Sequence, residues 1–294
     1  MQAQSLKFGA LIPPEGFRWI FLEDDGRWVL KDPPAEWPEQ DLAAARFYDE
    51  KAPAPLLSGR FYLAASTDEC MHAHADQQTE FGPLRDEPDL YLRFASEKPT
   101  PGRIREFANT YGLLRYSDTR ETAINLQRKS ATDLLPHFNF EYQEGDQRPL
   151  SLRAEPAIKW LTTFELAAFN LKTWAEFEEA GSFRAMSGYL EDGFNYGMGG
   201  SLTFQVKMDP DTGVLRTEII AASLEQLIEV QWGMSIAAHV HHRQCAECPN
   251  WFAVHAGSGR PEKAYCSDAC RMRAYRKRKV AKAAKPKRSA KKRA

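Results

Sequence analysis

Cys245-Ala246-Glu247-Cys248 is followed, 17 residues on, by Cys266-Ser267-Asp268-Ala269-Cys270, a C-x2-C-x17-C-x3-C series. It runs straight into Arg271-Met272-Arg273-Ala274-Tyr275-Arg276-Lys277-Arg278-Lys279. Four of the five cysteines of the chain lie within these 26 residues. Two close pairs of soft thiolates are what a tetrahedral metal site needs, and four sulfurs leave no open position for water. The spacing therefore predicts one structural, non-catalytic zinc per chain on Cys245, Cys248, Cys266 and Cys270. A cysteine-held iron–sulfur cluster is the alternative occupant of the same ligand set. His241, His242 and His255 flank the series and are read as solvated or phosphate-facing.

The local signals around the cysteines suggest a small module. Cys245 and Cys248 bracket a two-residue turn. Residues 251–255 read as a strand, residues 256–261 as a turn and residues 262–266 as the return strand. Ser267 is a good N-cap, which puts Cys270 on the first turn of a helix, near its positive end. Knuckle, hairpin and helix make a treble-clef-like finger. Phe252, Tyr265 and Met272 offer only a small core, so metal binding is expected to be coupled to folding.

The order Cys-x2-Cys-x-x-Trp-Phe, then Arg260-Pro261, Tyr265-Cys266-Ser267 and Cys270-Arg-x-Arg-x-Tyr-Arg-Lys-Arg resembles the CGNR-type zinc fingers of bacterial regulators. The resemblance covers about residues 243–279. It implies a treble-clef finger with Cys245, Cys248, Cys266 and Cys270 as metal ligands, placed after an N-terminal helical or mixed domain, and a role in binding nucleic acid. After Cys270 this chain has Arg271-Met272, where the motif that names the family has Gly-Asn.

The net charge of −1 conceals an asymmetry. Residues 241–294 hold 16 Lys and Arg against 3 Asp and Glu, which leaves residues 1–240 with 23 basic and 37 acidic residues. An acidic body thus carries a polyanion-seeking tail. Residues 271–294 contain 13 cations and no acid. Arg271, Arg273, Arg276, Lys277, Arg278 and Lys279 are the candidate nucleic-acid contacts, on a helix to about Val280. Residues 281–294, rich in Lys and Ala, are expected to be disordered alone. The opposite charges also suggest that the acidic body holds the tail until a polyanion displaces it.

Residues 1–242 are expected to form a mixed α+β body. Residues 17–22 and 27–31 read as a hairpin around Asp24-Asp25-Gly26, followed by a helix over residues 39–48. Residues 60–65 and 90–95 read as strands. Ile104, Phe107, Ala108 and Tyr111 recur at helical spacing, closed by Gly112. Residues 157–179 give the longest helical pattern, opened by Pro156 and ended by Gly181. Residues 201–208 and 213–217 suggest a second hairpin. Ser223 and Gln226 have capping-box spacing at the start of a helix over about residues 224–241. This helix leaves little room for a linker, so the finger is expected to be held firmly to the body. No regular strand–helix–strand rhythm argues for a doubly wound sheet.

A chain of 294 residues that is 43% hydrophobic can bury a substantial core. No apolar run approaches the length of a membrane span. The N-terminus lacks the basic start and long apolar run of a secretory signal, so the cytoplasm is the expected location, with nucleoid association an option. Cys70, His72 and His74 alternate in a polar stretch and are read as incidental. Residues 193–200 are glycine-rich but lack the Lys-Ser/Thr of a phosphate loop. No catalytic motif is visible. The three-part reading is a body (1–242), a zinc finger with a basic helix (243–280) and a tail (281–294). Its function would be a DNA-binding transcriptional regulator, DNA being favoured over RNA, whose body senses a small molecule or protein or self-associates. An enzyme or effector targeted by its finger, or a protein–protein adaptor, is the alternative.

Overall fold

In the computed structural model, the described residues are 5–8, 13, 15–47, 56–66, 87–114, 123–126, 133–138, 150–182, 203–208, 215–221, 223–254 and 263–284. The stretch with Cys70, His72 and His74, the glycine-rich stretch 193–200, His255 and the tail beyond Ala284 lie outside them.

Residues Arg18–Leu22 (β2) and Trp28–Leu30 (β3) pair antiparallel about Asp24-Asp25-Gly26. Gly26 takes φ +82, a left-handed value that any Cβ would strain. β2 continues into Phe61–Ser66 (β4), then Leu150–Pro156 (β6), then Ala123–Leu126 (β5), giving an antiparallel sheet ordered β3-β2-β4-β6-β5. Trp19, Phe21, Phe61, Leu63 and Ala65 face the main core. Ile20, Ala64, Leu152 and Ala154 face a smaller cluster with Leu134 and Phe138, beside the 3-10 turn Leu135–His137. Burial on both faces explains why Trp19-Ile20-Phe21 shows no alternation with polar residues.

A second sheet joins Ser5–Phe8 (β1), Leu215–Ala221 (β8) and Thr203–Met208 (β7) in the order β1-β8-β7. β7 and β8 form the expected hairpin, and β1 lies parallel to β8. The body is thus mixed helix and sheet, and β1–β8 is the only parallel pairing among the described residues.

Helices fill the main core. Glu39–Phe47 (α1) and Leu57–Arg60 (α2) precede β4. Pro101–Tyr111 (α4) starts from Thr100, whose side chain accepts from the Arg103 N–H, and buries Ile104, Phe107, Ala108 and Tyr111 as the spacing predicts. Ala157–Ala180 (α5) is the central helix. It leaves β6 at Pro156 and stops where Gly181 turns left-handed at φ +63. Phe164 of α5 stacks on Phe94 with ring centroids 3.9 Å apart, and Phe107 meets both edge-on.

Two expectations fail in the body. Leu90–Ser96 is a helix (α3) and not a strand. Leu90, Tyr91, Leu92, Phe94 and Ala95 are all buried, and a short run buried on nearly every side carries no period to tell helix from strand. The helix opened by Ser223, whose Oγ accepts from the Gln226 N–H, ends at Ala237 (α6, Leu224–Ala237), not at His241. The chain reverses through His239, a non-glycine residue at φ +53, and His241–Gln244 becomes a strand (β9). Its partner is Trp251–Val254 (β10), antiparallel, with His242 opposite Ala253.

Candidate metal and polyanion site

The β9–β10 hairpin encloses the first cysteine pair. Cys245 follows β9 directly and its N–H donates to the Asn250 carbonyl at 2.9 Å, closing the knuckle. The expected hairpin lay after the knuckle, between residues 251–255 and 262–266. Instead the polar strand His241–Gln244 supplies the partner, and residues 263–265 belong to no strand. The second cysteine pair is tied back by the Ala246 N–H, which donates to the Ala264 carbonyl at 3.0 Å. Ser267 caps the last helix as expected: its Oγ accepts from the Cys270 N–H at 3.3 Å. That helix is Asp268–Ala284 (α7), four residues longer than the sequence suggests, so residues 281–284 are helical and not disordered.

These contacts bring the four sulfurs together. The Sγ of Cys248, Cys266 and Cys270 lie 3.6, 3.7 and 3.7 Å apart, and all four sulfurs fall within 4.8 Å of one another. A tetrahedral ion with metal–sulfur bonds of about 2.3 Å requires sulfurs about 3.8 Å apart. The donor set therefore fits a metal ion. Cys245 and Cys270 are buried, while Cys248 and Cys266 are partly exposed.

The metal-free thiols are inequivalent. Burial pushes the Cys245 thiol up, but N–H groups of Cys266, Glu247 and Cys248 outweigh it and bring the thiol down to about 6. Burial raises Cys248. Burial and the neighbouring thiols push Cys266 up to about 12. Cys245 is thus ready as a thiolate, while Cys248 and Cys266 need a cation to release their protons.

The small core around the cluster differs in one member from expectation. Phe252, Val254 and Tyr265 pack there, but Met272 is 45% exposed. Lys263 lies over the Phe252 ring at 5.2 Å. His241 and His242 stand apart from the cluster, and His242, contrary to expectation, is not solvated. His241 Nδ1 is 3.3 Å from Glu178 Oε2. His242 is buried, its Nε2 2.9 Å from the Tyr91 hydroxyl and 3.1 Å from Ser235 Oγ.

The hairpin is docked firmly on the body. The Trp251 N–H donates to Ser96 Oγ at 2.7 Å, and Ser96 Oγ donates to the Leu92 carbonyl at 2.6 Å. Trp251 and Ala253 pack against the main core. Behind them the Tyr91 N–H donates to Gln231, whose amide donates to the Glu87 carbonyl. The sequence carries no signal for these contacts, because their partners lie more than a hundred residues apart.

The six predicted cation positions all lie on α7, but they are not equivalent. Lys277 Nζ sits 2.6 Å from Glu247 Oε1, and Arg271 lies 3.1 Å from Asp268. Arg273, Arg276, Arg278 and Lys279 are exposed and make no ion pair among the described residues. No cation of α7 pairs with the acidic body among the described residues, so the structure gives no support to a body-held tail. No helix among the described residues is long and apolar enough to cross a membrane.

A groove of about 940 Å³ lies beside the hairpin, between α5, α1 and Trp251. Phe169 and Leu166 of α5 are half-exposed along it, with Lys159, Lys172 and Arg46 among its cations. No protein-family model, no curated protein and no solved structure matches this chain.

Proposed function

We propose that this chain is a zinc-finger nucleic-acid-binding protein, a DNA-binding regulator in which one structural Zn2+ sits on Cys245, Cys248, Cys266 and Cys270. Kinship with the CGNR-type, treble-clef fingers belongs to the same proposal. The observation that carries it is the junction of two features. A four-thiol cluster of tetrahedral spacing grips the first turn of a helix, and that helix then presents Arg273, Arg276, Arg278 and Lys279 to solvent. Zinc suits four thiolates, needs no open position and has no redox chemistry. Its part is to hold the angle of the basic helix. The acidic body serves as a sensing or association domain, and a ligand in the groove beside Trp251 would lie next to the finger's hairpin. The expected setting is the cytoplasm.

Phosphate contact by α7 makes affinity fall steeply with salt, with log K changing by about −0.9 per phosphate neutralised against log salt. Titration of labelled duplex DNA at several salt concentrations tests this. A slope of about −4, lost when residues 271–294 are removed, is the expected result. Equal affinity of the full and shortened chains would overturn it, and no binding of either DNA or RNA would overturn it and favour the adaptor role.

A further inference from the structure

The basic helix has two sides with different commitments. With 3.6 residues per turn, Cys270, Ala274 and Lys277 share one stripe. Cys270 and Ala274 are buried and Lys277 is held by Glu247, so this stripe belongs to the module. On the opposite stripe, at i, i+3, i+4 and i+7, stand Met272, Tyr275, Arg276 and Lys279. All four are exposed, Met272 at 45% and Tyr275 at 53%. Arg271 and Arg273 border that stripe on its two sides. From Tyr275 to Val280 every residue is exposed, and Lys277, held by Glu247, is the one residue of this stretch with an ion pair among the described residues.

We infer that α7 enters the major groove of duplex DNA, with Met272, Tyr275, Arg276 and Lys279 toward the base edges and Arg271 and Arg273 toward the phosphates on either side. This rests on the nucleic-acid reading and deepens it. A clear helix is about 10–12 Å across with its side chains, and the B-form major groove is about 12 Å wide. The A-form groove of double-stranded RNA is too narrow and deep for it. A purely phosphate-bound helix has no use for exposed Met272 and Tyr275 between cations. In a groove, an apolar side chain meets the thymine methyl and an arginine pairs with both acceptors of guanine. The Glu247–Lys277 pair fixes the rotation of the helix, so the outward stripe is set before DNA arrives.

The test uses the full-length chain on duplex DNA, with dimethyl sulfate as the probe of both grooves. Guanine N7 lies in the major groove and adenine N3 in the minor groove. Protection at N7 is expected. Protection confined to N3, or binding with neither protected, overturns the inference while leaving nucleic-acid binding intact. Selection from a random duplex pool supplies the second measurement. Arg276→Lys keeps the charge, so affinity for bulk duplex should stay within about threefold while preference for the selected sequence falls about tenfold. An unchanged preference in Arg276→Lys and Met272→Ala, with metal content as in the parent chain, overturns the assignment of this stripe. No binding to any DNA or RNA would remove the nucleic-acid reading itself.

Discussion

Lys277 Nζ lies 2.6 Å from Glu247 Oε1, and the Glu247 side chain is only 7% exposed. A residue of the knuckle, between two cysteines of the cluster, thereby anchors the basic helix two turns beyond Cys270. The lysine is 70% exposed, so screening limits the pair to about 1 kcal/mol. Its role is one of position more than of strength.

Lys277→Ala and Glu247→Gln should therefore loosen the module, not strip it of affinity for polyanions. Metal transfer to a chromophoric chelator is expected to speed up about fivefold. The salt slope of DNA binding should stay unchanged in Lys277→Ala and shrink by about 1 in Arg273→Ala. The reverse ranking would show that Lys277 contacts phosphate.

Cys266→Ser and Cys270→Ser should each abolish stoichiometric metal. Without the ion the hairpin stays docked on the body, but only Phe252, Val254 and Tyr265 remain to hold the second cysteine pair, and a 17-residue helix of this charge cannot stand alone. Elemental analysis should give about one metal per parent chain and none per variant. Far-ultraviolet circular dichroism should show the loss of α7 alone.

Metal affinity should rise with pH, because protons compete for the sulfurs. Above neutrality Cys245, at about 6, has already lost its proton, while the raised thiols Cys248 and Cys266 still carry theirs. Binding then displaces about two protons or more, and log K climbs accordingly. Below about pH 6 Cys245 is protonated as well, so the dependence steepens by about one further proton. Chelator competition between pH 5 and 8 measures both limbs; a slope that flattens on acidification would contradict the ordering of these thiols.

Ser96→Ala should weaken the seating of the hairpin on the body. It removes the acceptor of the Trp251 N–H and leaves that group without its partner, at a cost of about 1–3 kcal/mol. A drop in the urea midpoint with metal content preserved is the expected result.

Phe164→Ala should cost about 3–5 kcal/mol, because the ring fills the space between Phe94, Phe107 and Trp160. Thermal unfolding should show it as a lowered melting temperature of the body.

Local chemistry was readable from the residues. Asp24-Asp25-Gly26 marks a turn, Ser223 and Gln226 mark a cap, Ile104 to Tyr111 mark an amphipathic helix, and the cysteine spacing marks a cluster that could hold a metal ion. What escaped depends on partners distant in the chain. Leu90 to Ser96 is buried on nearly all sides, so its pattern loses the period that distinguishes helix from strand. His241-His242-Arg243-Gln244 looks like the polar end of a helix. It is a strand because Trp251 to Val254 offers a ladder and because Tyr91 and Ser235 receive the His242 ring. The cations of α7 look alike in sequence, and only the position of Glu247 separates Lys277 from Arg276.

His242 and Trp251 meet partners 151 and 155 residues earlier in the chain. Synthesis at about 5–20 residues per second leaves Tyr91 and Ser96 uncovered for about 8–30 seconds. The strand that closes them also borders Cys245, so the body is sealed by the same late segment that carries the four-cysteine cluster. A newly made chain therefore keeps an unfinished edge, open to proteases and to other nascent chains, until the last stitch is drawn.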